Sequence, residues 1–509
     1  VAEPLYLVQA VVVLDGAMVA IALPKLQDGL SLSVVQLQWV VNATLIAWAA
    51  LLIPAGRRAD RIGHRRSVCH GLVVIAAGSV CSAVAPDFAV LAVGRVGQGI
   101  GAAMTTPSVI ALLAEAAPRR QRGQALGRFA ALLGLLELLG PVYGGLLVVS
   151  LGWRAVFVSA LVISLGAWVL VRLRVPESAG SAPPAIDWAG SVLLAATVLG
   201  LVLGTIEVHS DGIRSLPALA LFATAVVAAG GFVAAERRSR APTLDLGLLR
   251  SADFVATLAV LFAVSFAIGV YLFFITIYLQ RALHMSALLA GAGLIPASLF
   301  TIFLSARIGR RGDRTSHHPL VIAGLLPFIG GLLLTVSGTS ALTYVAVLPA
   351  LVAVGVGIAL FRTPLLSLIH HPLAGHQAGM GTAAGELVGL LGGAIGVAVG
   401  VTIFLAVSTA DLNAKLPAAG IEHHFTAAEL RSLWEEPGPA RRTYRALPAP
   451  TRHQVRKIVV DTANDALATA LYVCAALVGA VGLALAGLMV RRSRYRRRDN
   501  AHAATSGFP

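Results

Sequence analysis

The stretch Gly56-Arg57-Arg58-Ala59-Asp60-Arg61 returns as Gly309-Arg310-Arg311-Gly312-Asp313-Arg314, with one residue changed in six. The copies lie about half of the 509-residue chain apart, and each follows an apolar stretch long enough to cross a bilayer. A charged loop recurring at half-length in so apolar a chain predicts two similar membrane bundles. Bundles repeated in this way hold a site between them and rock around it, which is the plan of a transporter.

Composition narrows the class further. Hydrophobic residues make up 57% of the chain and charged residues 12%, and the mean hydropathy is +0.83. No soluble core of this size uses that much apolar surface, so the chain reads as an all-α, polytopic membrane protein. About fourteen apolar runs are long enough to span, roughly 5–25, 38–56, 68–86, 89–114, 124–149, 153–173, 188–207, 215–235, 252–280, 286–306, 319–338, 342–362, 377–408 and 464–490. The ninth and thirteenth run long, so their ends are expected to protrude from the bilayer.

The formal net charge of +15 raises the question of nucleic acid. Its placement answers it. Arginines crowd 57–66, 119–128, 237–250, 307–314 and 491–498, whereas the loops near 87, 209–214 and 337–341 carry few. That alternation predicts both termini and all the arginine-rich loops in the cytoplasm. Without a folded polar domain, a nucleic-acid partner is excluded and the lipid bilayer is the expected surroundings. The cysteines Cys69, Cys81 and Cys474 have no disulfide or metal spacing and read as small apolar residues. The sequence does not open on Met, so a short preceding piece is expected. The first apolar run has no cleavage site and carries Asp15, so it reads as a retained helix.

Six spans fill 1–175, and a Pro/Ser/Gly-rich stretch then marks a linker. Two extra spans lie within 176–250. Six more occupy 251–491, and a basic tail covers 492–509. Within the second six, residues 409–463 form an outer loop too polar to span, with Trp434, Glu435, Glu436 and several arginines, a departure from the alternation of the shorter loops. It reads as a partly helical extracellular cap, with substrate handling or partner docking as the other reading.

Five polar residues inside the spans are candidates for chemistry. Asp15 sits near the middle of the first, where a charged carboxylate costs at least ~2.5–3.5 kcal/mol unless it faces a partner or a water-filled cavity. Burial opposes its charge, so it can take up and release a proton; a purely packing Asp is the other reading. Arg95 and Gln98 lie one turn apart on the fourth span with Gly99, so they share a face. Arg95 either reaches Asp15 or snorkels to headgroups. Glu137 on the fifth span precedes Gly140-Pro141-Val142-Tyr143-Gly144-Gly145, and Glu386 lies on the thirteenth near Gly389, Gly392, Gly393 and Gly396. Both spans are the fifth of their six, so the two carboxylates are rough counterparts, either contacting a cation and proton or packing.

The repeated charged loop reads as a gate at the cytoplasmic face. Gly56, Asp60, Arg61, Gly63 and Arg65 form one copy, with Arg119, Arg120 and Arg122 of the next loop as candidate partners of Asp60. Asp313 and Arg314 belong to the second copy. Such a network locks one face and breaks when bundles rock; positive-inside charge alone is the alternative. Gly94-Arg95-Val96-Gly97-Gln98-Gly99 is no dinucleotide motif, because it lies inside an apolar helix. His317-His318 and His370-His371 read as interfacial, not as metal ligands. No nucleophile–base set, zinc spacing or phosphate loop rises above background, so no enzyme, metal or cofactor is expected.

Several motifs in order carry a resemblance over nearly the whole chain. They are Leu14-Asp15…Val19…Ala22-Leu23-Pro24; Gly56-x-x-Ala59-Asp60-Arg61-x-Gly63-x-Arg65-Arg66; and Arg95-Val96-Gly97-Gln98-Gly99-Ile100-Gly101-Ala102. Gly140-Pro141-x-x-Gly144-Gly145 follows, then Gly152-Trp153-Arg154-x-x-Phe157, Ala290-Gly291-x-Gly293-Leu294-x-Pro296 and Gly392-Gly393-Ala394-Ile395-Gly396. The chain resembles the fourteen-span drug:proton antiporters of the major facilitator superfamily, the quaternary-ammonium and multidrug exporters. The resemblance implies two six-helix bundles plus two linker helices, a monomer, and a bacterial cytoplasmic membrane. It implies an amphipathic small-molecule substrate, the proton gradient as energy source, Asp15 as protonation site, Arg95 as its aid, and the Gly140–Gly145 kink as a mark of export.

Three departures bear on these expectations. Arg58 replaces the usual leucine of the loop, and His64 the usual arginine. On the thirteenth span, Glu386, Gly389 and Leu390 stand where an Asn and an Arg-Gln pair are common. A carboxylate in place of a cation makes that half of the cavity more negative and favours cationic substrates. A lipid or glycolipid exporter on the same scaffold and a non-transporting membrane sensor remain as alternatives.

Overall fold

Apolar runs in a bilayer have no water to satisfy their backbone, so each must close its hydrogen bonds internally as a helix. The computed structural model describes residues 2–116, 122–177, 188–211, 215–238, 246–312, 317–370, 378–418 and 448–505, and it is helical almost throughout. The first six helices are α1 (Ala2–Leu30), α2 (Val34–Ile62), α3 (His64–Ala83), α4 (Phe88–Ala116), α5 (Arg122–Leu151) and α6 (Arg154–Arg174). Next come α7 (Trp188–Asp211) and α8 (Leu216–Arg238), and then a short 3-10 turn, Leu246–Arg250. The last group is α9 (Ala252–Arg281), α10 (Ala287–Gly293), α11 (Ile295–Gly312), α12 (His317–Ser340), α13 (Tyr344–His370), α14 (Ala378–Ala418) and α15 (Ala449–Thr505).

Thirteen of the described helices are long and apolar enough to cross a membrane. The tenth expected span is instead broken at Leu294, between α10 and α11. The break precedes Pro296, whose missing N–H is tolerated only in the first turn of a new helix.

Two expectations about loops are corrected. The first charged hexapeptide is not a loop: it forms the last turns of α2, and the chain turns only at Gly63. Gly63 has φ +96°, a conformation that side chains with a Cβ rarely adopt, and its N–H closes on the Ala59 carbonyl at 2.9 Å. The second copy likewise starts in the last turn of α11, while Asp313 and Arg314 lie outside the described residues. The outer loop 409–463 is helical at both ends, because α14 runs on to Ala418 and α15 starts at Ala449. Lys415 fastens these extensions, reaching Asp411 and Asp465 at 2.7 Å each. Trp434, Glu435 and Glu436 lie outside the described residues.

The half-chain repeat is visible in packing. Gly71 and Gly78 of α3, seven residues apart, face Gly101 and Gly94 of α4 so closely that a Cβ on Gly78 would lie 2.6 Å from the Gly94 carbonyl. Gly324, Gly331 and Gly338 of α12 repeat the same spacing against Leu360, Val354 and Ala346 of α13. Seven residues are two helical turns, so one small-residue stripe lets each helix pair approach backbone to backbone. The third and fourth spans of each half are thus built alike.

Several contacts between the halves lie at the arginine-poor face. Arg281 at the end of α9 meets Asp28 of α1 at 2.6 Å and the Pro24 carbonyl at 3.1 Å, and Gln280 donates to the Ile21 carbonyl at 3.0 Å. Gly145 of α5 sits against α10, where a Cβ would fall 2.5 Å from the Ala287 carbonyl. Gly291 of α10 abuts the Pro141 carbonyl in return. The extra helix α7 lies in the seam between α2 and α14. Val198, Val202 and Ile206 pack there with Ile46, Leu52 and Ala398.

Candidate functional site

Asp15 is buried midway along α1, at 6% exposure, and Arg95 of α4 is buried more completely still, at 2%. Arg95 therefore does not snorkel. Its Nη1 donates to Asp15 Oδ2 at 2.5 Å and to Gln98 Oε1 at 2.7 Å, and its Nε donates to the Val40 carbonyl of α2 at 2.8 Å. Gln98 completes the set, its Nε2 donating to Asp15 Oδ1 at 2.9 Å and to Ser79 Oγ at 3.0 Å. One carboxylate, one guanidinium and one amide thus tie α1 to α4, with α2 and α3 supplying further acceptors.

Such a cluster needs close helices, and glycine supplies them. Gly99 follows Gln98 and abuts the Thr44 carbonyl of α2, while Thr44 Oγ1 donates back to the Arg95 carbonyl at 3.0 Å. Beside the cluster lies a small, partly open cleft with a cavity volume of about 70 Å³, walled by Val11, Val19, Val41, Leu45 and Trp48, with Asp15 and Arg95 in its lining. Among the described residues, the Trp48 indole N–H has no acceptor.

The second polar centre joins the two halves. Glu137 of α5 and Arg362 of α13 form a two-pronged ion pair: Nη2 to Oε1 at 2.6 Å, and Nη1 to Oε2 closer still. Both side chains are about two-fifths exposed. Glu386 of α14 lies within electrostatic reach of Arg362. Gly140 packs on Ala17 of α1. Glu137, one turn before it, therefore stands near the level of Asp15. Glu137 and Glu386 thus both interact with Arg362. The sequence reading overlooked Arg362, although a lone charge in an apolar span is a signal by itself.

The kink residues have identifiable contacts. Gly144 lets α5 approach Met18 of α1, Gly145 meets α10, and Pro141 presents its carbonyl to Gly291. The kink is therefore where α5 meets both α1 of its own half and α10 of the other. The residues of the expected gate lie at the arginine-rich face. Asp60 pairs with His64 at 3.5 Å, one turn along the chain. Arg65 instead donates to the Arg172 carbonyl at 2.7 Å, and Arg65 and Arg66 approach Glu177 at 3.8 and 3.4 Å. Those contacts link α3 to α6 within one half. Arg61 is exposed at the end of α2, Gly56 packs near Pro107 of α4, and the side chain of Arg122 and all of Arg119 and Arg120 lie outside the described residues.

Residues 5–397 match the description Major Facilitator Superfamily. The tetracenomycin C resistance and export protein of Streptomyces glaucescens is 37% identical over 288 residues, 56% of this chain and 53% of that protein. The chain thus spans about half the length of that relative. The multidrug resistance protein Stp of Mycobacterium tuberculosis is 31% identical over 72% of this chain and 69% of its own length. The multidrug efflux pump LfrA of Mycolicibacterium smegmatis is 29% identical over 94% of each. Among solved structures, an auto-inhibited POT family peptide transporter superposes with a TM-score of 0.64 at 14% identity, covering 96% of both chains. An inward-facing, occupied bacterial homologue of the lysosomal transporter Spinster gives 0.62 at 15%, covering 95% of this chain and 96% of its own. With a family match over more than half its length and the same helical fold in the solved transporters, this multi-pass membrane protein belongs to the major facilitator superfamily.

Proposed function

We propose that the chain exports amphipathic, cationic small molecules in exchange for protons, by alternating access, from a bacterial cytoplasm. The observation that carries this reading is the buried Asp15–Arg95–Gln98 cluster beside an apolar cleft. A carboxylate at membrane depth is expensive even when paired, so one that is retained marks a proton or ion pathway by default. The relatives, a tetracenomycin C resistance and export protein, a multidrug resistance protein and a multidrug efflux pump, support the same reading. The arginine-rich face is the cytoplasmic one, and both termini lie there. The protein works as a monomer, with the proton gradient as its only energy source.

In this cycle the ionised Asp15 accepts from Arg95 and Gln98 while the cleft stands open to the cytoplasm. A lipophilic cation enters beside Asp15, and the Trp48 ring offers a π face of the kind cations prefer. After the halves rock, a proton from outside neutralises Asp15, which lowers the negative charge near the cation and releases it. Deprotonation toward the cytoplasm restores the starting state. A one-for-one exchange of a monocation for a proton moves no net charge, so the pH difference drives it; a second proton per cycle would add ~2.3 kcal/mol per 100 mV.

The test uses everted membrane vesicles carrying the wild type or Asp15→Asn, with an imposed pH gradient and a panel of lipophilic cations. Cations are expected to dissipate the gradient with the wild type alone. No response from either form removes the reading and makes lipid export on the same scaffold the next assay. Cation preference is tested separately: cation transport indifferent to both Glu137→Gln and Glu386→Gln removes it.

A further inference from the structure

Arg362 occupies a place that the proposed substrate would need. Its guanidinium grips both carboxylate oxygens of Glu137 across the two halves, and Glu386 stands near enough to attract the same charge. With both carboxylates ionised, the three side chains carry two negative charges against one positive, and one further cation makes the set neutral. The pair is also about two-fifths exposed, which leaves it open to competition from a mobile cation. Just toward the arginine-poor face, Pro141 and Gly291 hold α5 against α10. The ion pair therefore lies directly below the seal between the halves.

We propose that Arg362 is a tethered competitor for cationic substrates: it holds Glu137 in the empty protein and is displaced toward Glu386 when a lipophilic cation takes its place. This rests on the export reading above and adds a specificity-determining residue to it. The charge count explains why two carboxylates are needed. With a monocationic ligand on Glu137 and Arg362 on Glu386, both acids are paired and no charge is left without a partner. A neutral amphiphile cannot displace the guanidinium, because it would leave Glu137 uncompensated. Selection for charge thus arises from the cost of breaking a pair, not from added contacts.

Displacement also weakens the tie between α5 and α13. The empty protein is held in this arrangement by a bidentate bond between halves; the loaded protein is not. Arg362 thereby makes rocking conditional on cargo, since its grip on Glu137 is what the cargo removes.

The measurement is equilibrium binding of tetraphenylphosphonium to the purified full chain in nanodiscs, with triphenylphosphine oxide as the uncharged comparison. A competitor that occupies a site about nine-tenths of the time weakens apparent affinity about tenfold, so Arg362→Gln is expected to tighten tetraphenylphosphonium binding by roughly that factor. Binding of triphenylphosphine oxide is expected to stay unchanged. Arg362→Lys loses the two-pronged geometry and should tighten cation binding by about threefold, which serves should the Gln variant fail to accumulate. Glu386→Gln removes the second seat and should weaken cation binding. Equal or weaker cation binding by a folded Arg362→Gln or Arg362→Lys protein overturns the proposal, as does equal tightening for the uncharged probe. A wild type that binds no tetraphenylphosphonium overturns this proposal together with the cation-export reading. A wild type that binds it, with variants unchanged, overturns only the role of Arg362.

Discussion

Arg95 divides its guanidinium among three acceptors: Asp15, Gln98 and the Val40 carbonyl. Lysine presents a single ammonium point and cannot reproduce that fork. Breaking a buried pair by removing one partner costs about 3–5 kcal/mol, because it strands the other charge. Arg95→Ala should therefore destabilise the protein strongly, and adding Asp15→Asn to it should recover part of the loss. Unfolding of the single and double variants in nanodiscs checks this, and a double variant costing the full sum of the singles would contradict it. The cluster was legible in the sequence because Asp15 and Arg95 are lone charges in apolar spans and Gln98 is one turn from Arg95. Arg362 was not read, since its place near the inner end of the twelfth span suits a snorkelling residue equally well. Only the rotation of α13 against α5, a matter of tertiary packing, puts it on Glu137.

The adjacent glycines of α12 separate propensity from packing. A Cβ on Gly331 would meet Val354 at 2.7 Å, whereas one on Gly330 would meet nothing within 4 Å. Overpacking a tight contact typically costs about 1–3 kcal/mol. Gly331→Val should lower stability by about that much, and Gly330→Val should leave it nearly unchanged; thermal unfolding of the two variants decides. Equal effects would mean that the stripe against α13 is not what holds this pair. The same scale shows where the sequence misleads. Charge runs look like loops, yet the hexapeptide at 56–61 stays helical, because nothing in it breaks a helix before Gly63. The polar segment after 408 likewise keeps its helix for another ten residues, to Ala418. Helix continuity depends on local propensity and on partners such as Lys415 and Asp465, and hydropathy reports neither. The break at Leu294 had a visible cause in Pro296, but a run of apolar residues reads as one span whether or not it is interrupted.

For the molecule as a whole, the repeat fixes two halves but leaves open which face is closed. Here the arginine-poor face is sealed by Arg281 with Asp28 and by the glycine contacts of α5 with α10. The ion pair is partly exposed, at 30% and 42% for its two side chains, so its worth is at most about 1 kcal/mol. A device that must open every cycle is better served by several weak ties than by one strong one, because each kcal/mol of seal shifts the population about fivefold. Arg281→Ala should therefore open the arginine-poor face more often without unfolding the protein. Gly16 offers a reporter: it lines the cleft beside Asp15, and a Cβ there meets nothing within 4 Å. With Cys69, Cys81 and Cys474 replaced, a Gly16→Cys protein is labelled by an impermeant maleimide applied to right-side-out vesicles. Adding Arg281→Ala is expected to speed that labelling up to about fivefold and to leave the total labelled in detergent unchanged. The direction matters more than the size, for labelling that is unchanged or slower would mean that α1 and α9 do not hold this face shut. Labelling that quickens only when the reagent is applied to everted vesicles would mean that the arginine-poor face had been assigned to the wrong side of the membrane.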